Sequence, residues 1–283
     1  MRFIRTDVEI EGGRRLHLYD FPNPADQKQD AVWSGVAESW RRRAEFIESW
    51  LEPITTLSNE MLGPGTGRLL DLGCGAMTTP FPEGWKRVGV DLSQEMLRGG
   101  TGCVRGVMTR LPFRDQSFGA AASRLSLMFA SDPLRAFEEV ARVLQHGTKF
   151  VFSVWGDAGK NLWASEPAEL LKARYGIPAP PPAAPGVFRL ADEEEVRGML
   201  KSAGFGDICC NKVAISLLAE ISAEAAADAV LALGGPVSAV FGRLSETERA
   251  EFRVEMSKRL AAVDRSGAAF VWGAVLKRPI GRL

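Results

Sequence analysis

Residues 69–75 have the sequence Leu-Leu-Asp-Leu-Gly-Cys-Gly, which limits the folds open to this chain. A short apolar run ending in Asp71 predicts a buried strand. Gly73 and Gly75 then allow a tight turn whose backbone can lie directly against a ligand. Sixteen residues beyond Gly75, a second predicted strand ends in Asp91, whose carboxylate can accept two ribose hydroxyls. The pattern predicts an open sheet that binds an adenosine-containing cofactor at its carboxyl edge.

From residue 68 onward, short apolar runs alternate with helical patterns. Strands are predicted at 68–72, 87–91, 117–123, 149–154, 207–218 and 268–276, and helices at 93–98, 133–144 and 192–203. Because such alternation implies right-handed crossovers, it predicts an α/β fold with a mainly parallel sheet and helices on both faces.

The breaker Gly63-Pro64-Gly65 divides the chain into two predicted domains. Residues 1–62 form an N-terminal arm with a hairpin at Gly12-Gly13, followed by a helix over 27–62 that carries Trp33 and Trp40. Residues 63–283 form the sheet domain. It contains two insertions. The first, at 157–189, has a stiff proline-rich loop at 177–182. The second, at 219–263, is predicted to be helical over 222–263, with an interruption at Gly234-Gly235-Pro236.

The composition argues against several kinds of partner. Thirty-five basic and thirty-five acidic residues cancel, so charge gives no reason to expect nucleic acid or an anionic membrane. Neither a membrane-spanning run nor a signal peptide is visible, so we expect a cytoplasmic protein without membrane insertion. Two histidines and four cysteines show no metal-ligand spacing, so no metal is expected, and we interpret Cys209 and Cys210 as small core residues. The oligomeric state is not predicted.

Two adenosine-containing cofactors compete for the predicted site. A dinucleotide needs a Gly-x-Gly-x-x-Gly cradle for its pyrophosphate, but Thr78 stands at the third glycine position and Pro80 and Pro82 follow. S-adenosylmethionine carries no phosphate, so it needs only the close approach that the glycines allow. Its ammonium group also suits the acid Asp71. The residues therefore favour S-adenosylmethionine.

Three further segments carry a family resemblance. They are residues 111–118, residues 137–144 followed by Gly147, and the turn Ala203-Gly204-Phe205. In this order and spacing they resemble the class I S-adenosylmethionine-dependent methyltransferases, in particular the small-molecule type that includes the ubiquinone and menaquinone C-methyltransferases. The resemblance is strongest over residues 68–156. It implies a Rossmann-like, mainly parallel sheet of seven strands with S-adenosyl-L-methionine as cofactor.

The resemblance also implies roles for eight residues at the cofactor. Asp71 would bind the methionine ammonium, directly or through water, and Gly73 and Gly75 would pass beneath the methionyl and ribose portions. Asp91 would accept hydrogen bonds from the ribose hydroxyls. The adenine would contact Leu92, Val107 and Met108, and Ser123 would lie beside the methionyl end. For Leu92 and Met108, a purely structural place in the core is an equal alternative.

Several positions depart from the family pattern. Met77 stands where a third glycine is usual, and Val107 where an acid usually receives the adenine amino group. The missing hydrogen bond would cost about 1 kcal/mol, which backbone groups can offset. Pro80 and Pro82 shorten the helix expected after the glycine turn, so a more open pocket is expected.

Methyl transfer needs alignment of the reacting atoms, and some acceptors also need a base. His17 and Tyr19, both in the N-terminal arm, are weak candidates, and no other catalytic residue is assigned. In one hypothesis this arm and the Trp33/Trp40 helix form a lid. In the other, the tryptophans only pack the helix onto the sheet.

Apolar residues in the two insertions predict a small, hydrophobic or aromatic metabolite as acceptor, methylated at carbon, oxygen or nitrogen. These residues are Leu162, Trp163, Phe188, Val230, Leu231, Val237, Val240 and Phe241. Two alternatives stay open. One is a homologue that binds S-adenosylmethionine for non-methylating chemistry such as cyclisation, and the other is a catalytically silent partner subunit.

Overall fold

A computed structural model describes residues 5–10, 14–19, 23–178, 181, 183–233 and 235–277. Strands β1 (Arg5–Ile10) and β2 (Arg14–Tyr19) form an antiparallel hairpin. Helices α1 (Pro24–Arg42), α2 (Ala44–Trp50) and α3 (Glu52–Leu62) follow. The single helix predicted over 27–62 is therefore three. Pro53 explains the second break, because it lacks the N–H that would continue the helical ladder.

Seven strands form the central sheet. They are β3 (Gly67–Leu72), β4 (Trp85–Asp91), β5 (Cys103–Arg105), β6 (Phe118–Arg124), β7 (Leu144–Trp155), β8 (Phe205–Ile215) and β9 (Gly267–Leu276). The order is β5-β4-β3-β6-β7-β9-β8, and β9 runs antiparallel to both its neighbours. The other pairs are parallel, which confirms the predicted fold. Strand β5 was not predicted because three residues are too few for a pattern to show.

Eight further helices surround the sheet or belong to the insertions, counted over the described residues. They are α4 (Gln94–Leu97), α5 (Pro133–Val143), α6 (Leu162–Tyr175), α7 (Glu193–Ser202), α8 (Leu217–Glu220), α9 (Ala223–Ala232), α10 (Gly235–Phe241) and α11 (Glu246–Ala261). Helix α6 was not predicted. Pro167 lies inside it, and an internal proline argues against a helix from sequence.

Aromatic side chains fill the core beside the central strands. Phe150 and Phe152 of β7 stack at 4.9 Å between ring centroids, and Phe152 stacks on Trp272 of β9 at 6.0 Å. All three are fully buried. Each such burial contributes about 1.5–3 kcal/mol, so these strands form a rigid base for the residues at their ends.

The edge strand β8 corrects one interpretation of the sequence. Cys209 is exposed and Cys210 is half-buried, so the interpretation of both as core residues is wrong for Cys209. Strand β8 pairs only with β9, and the pairing register shifts between Gly206 and Cys209. An edge strand with a bulge leaves one of its faces uncovered.

The connection between β3 and β4 contains no helix over residues 73–84, all of which are described. Pro80 and Pro82 lie in this loop, so the shortening predicted from them is complete. The N-terminal helices contact the loop instead. Thr78 Oγ1 donates to Glu48 Oε1 of α2 at 2.7 Å, and Asn59 Nδ2 of α3 donates to the Pro80 carbonyl at 3.2 Å.

Candidate functional site

The glycine turn after β3 is tied to the end of β4. The backbone N–H groups of Gly73 and Cys74 both donate to the Val90 carbonyl, at 2.8 and 3.1 Å. Gly73 has φ +65°, and a Cβ built there would lie 2.4 Å from the Cβ and Oγ of Ser126. Position 73 therefore requires glycine. A Cβ on Gly75, at φ +50°, would meet nothing within 4 Å, so the turn has open space on that side for a ligand.

Met77, at the usual third glycine position, adopts the backbone conformation of a glycine. Its φ is +62°, a left-handed geometry that costs a residue with a Cβ about 1–2 kcal/mol. Arg87 of β4 holds this segment in place. Its Nη1 donates to the carbonyls of Met77 at 2.8 Å and Thr79 at 3.1 Å, and its guanidinium stacks over Phe81 at 5.0 Å.

Asp91 is a buried acceptor at the end of β4. Its Oδ2 accepts from the Gly75 N–H and its Oδ1 from the Ser93 N–H, both at 2.9 Å. Burial raises the pKa of Asp91 to about 6, against the stabilisation that these two N–H groups give the carboxylate. Each oxygen keeps a second lone pair. These lone pairs can accept two further hydrogen bonds, and the role of Asp91 toward a ribose stays a prediction.

Asp71, one residue before the end of β3, is buried in an ion pair. Its Oδ2 accepts from Nε of Arg87 at 2.9 Å and also from Nη2 of the same residue. Burial raises the pKa of Asp71, and the Arg87 guanidinium opposes this rise. The role of Asp71 toward a cofactor ammonium stays a prediction.

A cavity of about 1890 Å³ opens at the carboxyl edge of the sheet. Six of the eight predicted cofactor residues line it: Gly73, Gly75, Asp91, Leu92, Val107 and Met108. The other two, Asp71 and Ser123, lie behind its wall. Ser123 is buried, and its hydroxyl donates to the Leu72 carbonyl at 3.0 Å. The structure thus brings the eight predicted residues together, six on the cavity surface and two in the layer behind it.

Helix α1 borders the cavity and docks beside α4 and β5. Asp30 pairs with Arg105 at 2.8 Å, and Ser34 shares a hydrogen bond with Ser93 at 2.8 Å. Trp33 and Trp40 line the cavity in edge contact with each other, 5.7 Å between centroids. These contacts place the helix where a lid would lie, and its opening stays a prediction.

The two weak candidates for a base lie in β2. The side chains of His17 and Tyr19 fall outside what the structure describes, so their roles stay predictions.

The two insertions supply the far wall of the cavity. Of the eight apolar residues predicted to contact an acceptor, the lining includes Trp163, Phe188, Val230, Val237 and Val240, but not Leu162, Leu231 or Phe241. Trp50, Trp155 and Trp163 form an aromatic cluster with ring centroids 4.8 to 5.5 Å apart, and all three line the cavity. This end of the cavity suits an apolar or aromatic molecule.

Besides Arg87, sequence reasoning missed three charged residues at the site. Arg124, the last residue of β6, lines the cavity. Its Nη1 and Nη2 donate to Glu48 Oε2 and Oε1 at 2.6 and 2.7 Å, and Nη1 also donates to Thr55 Oγ1 at 2.8 Å. Burial raises the pKa of Glu48, but the hydrogen bonds and the charge of Arg124 outweigh burial and hold this pKa below its ordinary value. An arginine that ends the apolar strand Phe-Gly-Ala-Ala-Ala-Ser-Arg was the available signal for this pair.

The third missed residue is Asp26 of α1. It is 7% exposed and lines the cavity. Burial raises the pKa of its carboxyl. No sequence motif surrounds Asp26, so only its place beside the cavity identifies it.

Two kinds of feature are absent from the described residues. No group of three or more potential His, Cys, Asp or Glu ligands for a metal ion occurs there. No helix in the same part of the chain is long and apolar enough to cross a membrane.

Comparison with known proteins agrees with this geometry. Residues 70–152 match the family model described as a methyltransferase domain. The chain is 31% identical over 112 residues to malonyl-(acyl-carrier protein) O-methyltransferase of Methylococcus capsulatus, covering 34% of this chain and 40% of that protein. It is 35% identical over 98 residues to demethylmenaquinone methyltransferase of a Roseiflexus species, covering 30% and 41%. The matches therefore span about two fifths of these curated relatives.

A solved structure shows the same fold over more of the chain. It is the Haemonchus contortus phosphoethanolamine N-methyltransferase 2 in complex with S-adenosyl-L-methionine, with a TM-score of 0.55 and 16% identity. The alignment covers 93% of this chain and 62% of that one. The likeness at 16% identity shows a shared fold, and the family model adds that residues 70–152 are similar to a methyltransferase domain.

Proposed function

We propose that this protein transfers a methyl group from S-adenosylmethionine to a small, hydrophobic or aromatic metabolite at carbon, oxygen or nitrogen. One observation carries the proposal: a single cavity extends from the turn at Gly75 and the carboxylate of Asp91 to a wall of tryptophan side chains. Its volume of about 1890 Å³ exceeds the roughly 300–1000 Å³ of a typical site for one small ligand. It has room for a cofactor and an acceptor side by side.

The cofactor end of the cavity is assigned from the residues that line or support it. When bound, S-adenosylmethionine supplies an electrophilic methyl group on a sulfonium. Asp91 accepts the ribose hydroxyls, Leu92, Val107 and Met108 contact the adenine, and Asp71 acts on the ammonium from behind the wall. A Cβ on Gly75 would meet nothing within 4 Å, so this side of the turn leaves room for the ribose.

The acceptor end orients its ligand mainly by shape and apolar contact. Five of the seven tryptophans in the chain line the cavity, and flat rings favour aromatic partners. Residues 1–62, which include helix α1 with Trp33 and Trp40, act as a lid that excludes water. Residues 63–283 form the cofactor domain, and the insertions at 157–189 and 219–263 form the acceptor wall.

Asp26 is the carboxylate we assign to proton removal from an acidic acceptor. Among the described residues no ion pair holds it, and the nearby Ser131 hydroxyl is buried without a well-aligned hydrogen-bond partner. Three other aspartates of the cavity are engaged: Asp91 by two backbone N–H groups, and Asp157 and Asp192 as helix caps. A raised pKa makes Asp26 a stronger base than an exposed aspartate.

Two measurements test the proposed function. Calorimetry with S-adenosylhomocysteine tests the cofactor, and a nicotinamide dinucleotide serves as the competing ligand. Incubation with S-adenosylmethionine and a panel of phenols, enols and aromatic amines, with S-adenosylhomocysteine as the detected product, tests methyl transfer. Cofactor binding without product across the panel would favour non-methylating chemistry, and absence of binding would favour a silent partner subunit. A cytoplasmic location without nucleic-acid partners stays part of the proposal.

A further inference from the structure

Four charged side chains form a cluster at the end of the cavity where β3 and β6 meet. They lie in two ion pairs, Asp71 with Arg87 and Glu48 with Arg124. The pairs interact, because Arg124 lowers and Glu48 raises the pKa of Asp71. Two acids and two bases leave the cluster with no net charge. A neutral cluster of separated charges suits a zwitterion better than it suits a phosphate.

Arg124 is the member of this cluster that lines the cavity. Its side chain is 12% exposed. Of the five N–H groups of a guanidinium, the two on Nη1 and one on Nη2 are engaged by Glu48 and Thr55. The Nε–H has no hydrogen-bond partner among the described residues. It is also not among the side-chain nitrogens that are buried without a partner, so a ligand can reach it. Two donors of a rigid fork therefore remain for a ligand in the cavity.

Glu48 fixes the direction of that fork. It contacts both terminal nitrogens of Arg124 and also accepts from Thr78. This contact depends on the missing helix between β3 and β4, because the loop with Thr78 lies directly against α2.

We propose that Arg124 binds the α-carboxylate of the amino-acid end of S-adenosylmethionine, with Glu48 as a positioning residue. The motif residues account for the ammonium, the ribose and the adenine, and leave the carboxylate without a partner. Arg124 follows Ser123 on β6, and the neighbouring residue Ala122 pairs in register with Asp71. The free guanidinium donors and the predicted ammonium partner thus lie at the same end of the cavity. This inference rests on the proposed binding of S-adenosylmethionine.

Two ligands separate the carboxylate contact from the rest of the site. S-adenosylhomocysteine carries the α-amino-acid group, and 5′-methylthioadenosine keeps the adenosine and sulfur without it. Arg124→Met is expected to weaken S-adenosylhomocysteine about 10- to 100-fold by calorimetry, the range for hydrogen bonds to a charged group, and to leave methylthioadenosine unchanged. Arg124→Lys should fall between, because it keeps the charge without the fork. Glu48→Gln should show a smaller loss, again confined to S-adenosylhomocysteine.

Controls separate this contact from general damage to the fold. Arg197→Met removes a half-buried arginine that pairs with Glu193 at 3.1 Å and should change neither affinity. If Arg124→Met unfolds because Glu48 is left unpaired, the double variant Glu48→Gln/Arg124→Met removes both charges and should show the same selective loss. Equal losses for both ligands, or no loss for either, would overturn the inference while the cofactor assignment stands. Failure of the wild-type protein to bind either ligand would overturn the proposed function and this inference with it.

Discussion

Replacing Asp91 with asparagine should remove one defined component of the pH dependence of stability. The pKa of Asp91 is raised from 3.8 to about 6, mainly by burial. The folded state therefore holds this proton more strongly than the unfolded state does. Its stabilising effect is fully present below about pH 4 and is lost as the pH rises through about 6. A difference of about 2 pKa units corresponds to about 3 kcal/mol.

Asparagine does not titrate, but it leaves one backbone donor badly matched. Only its oxygen can accept, so either the Gly75 or the Ser93 N–H loses its partner, which costs about 1–3 kcal/mol at every pH. That cost is constant and cancels when two pH values are compared. Urea unfolding of both proteins at about pH 4 and pH 7 should show the variant gaining about 3 kcal/mol relative to wild type over this interval.

Titration of Asp91 should also change ligand affinity, but acidification should weaken binding, whereas it stabilises the fold. The ionised Asp91 is the stronger acceptor for ribose hydroxyls, so wild-type affinity for S-adenosylhomocysteine should fall below about pH 6, by up to about tenfold per pH unit. Asp91→Asn should bind more weakly at pH 7 and show little change on acidification. Parallel pH profiles for the two proteins, in both unfolding and binding, would refute the argument.

Three further variants test other parts of the site. Gly73→Ala should cost about 2–4 kcal/mol in urea unfolding, from the left-handed φ and the clash with Ser126, and Ser126→Gly should restore part of it; an unaffected single variant would contradict the geometry. Asp30→Asn removes the ion pair with Arg105 and should speed hydrogen exchange in α1 without changing exchange in the central strands. Asp26→Asn should lower turnover of phenolic or enolic acceptors about 100-fold or more while S-adenosylhomocysteine affinity stays constant; unchanged turnover would remove Asp26 as the base.

The strand ends at the candidate cofactor site were predictable because each is marked by local sequence. Asp71 precedes glycines, and Asp91 precedes Ser93, which caps α4 by accepting from the Met96 N–H. Apolar runs and helical spacing located six of the seven sheet strands for the same reason. The sequence did not separate the predicted cofactor residues that line the cavity from Asp71 and Ser123, which do not. A pattern of residue types gives the position of a residue along its strand. It does not show which other side chain lies between that residue and the cavity.

The residues that were missed have partners far away in the sequence. Glu48 and Arg124 are 76 positions apart, and neither belongs to a motif. Arg87 and Asp71 are closer, but their pairing depends on the register of β3 and β4, in which Leu69 lies opposite Arg87. A parallel pair then brings Asp71 diagonally next to Arg87 on the same face. Register is set by the whole sheet, so the single strands did not reveal this pair.

The departures from the family pattern compensate one another. The prolines at 80 and 82 remove the helix that would follow the glycine turn, so this segment lacks the backbone bonds of a helix to fix it. Arg87 fixes it instead, through the carbonyls of Met77 and Thr79. Strained positions persist where the surroundings over-determine them, which accounts for a methionine in place of glycine. The same missing helix lets α2 reach the loop with Glu48. Features that look like a weakened motif in sequence therefore support one another in the structure of the candidate cofactor site.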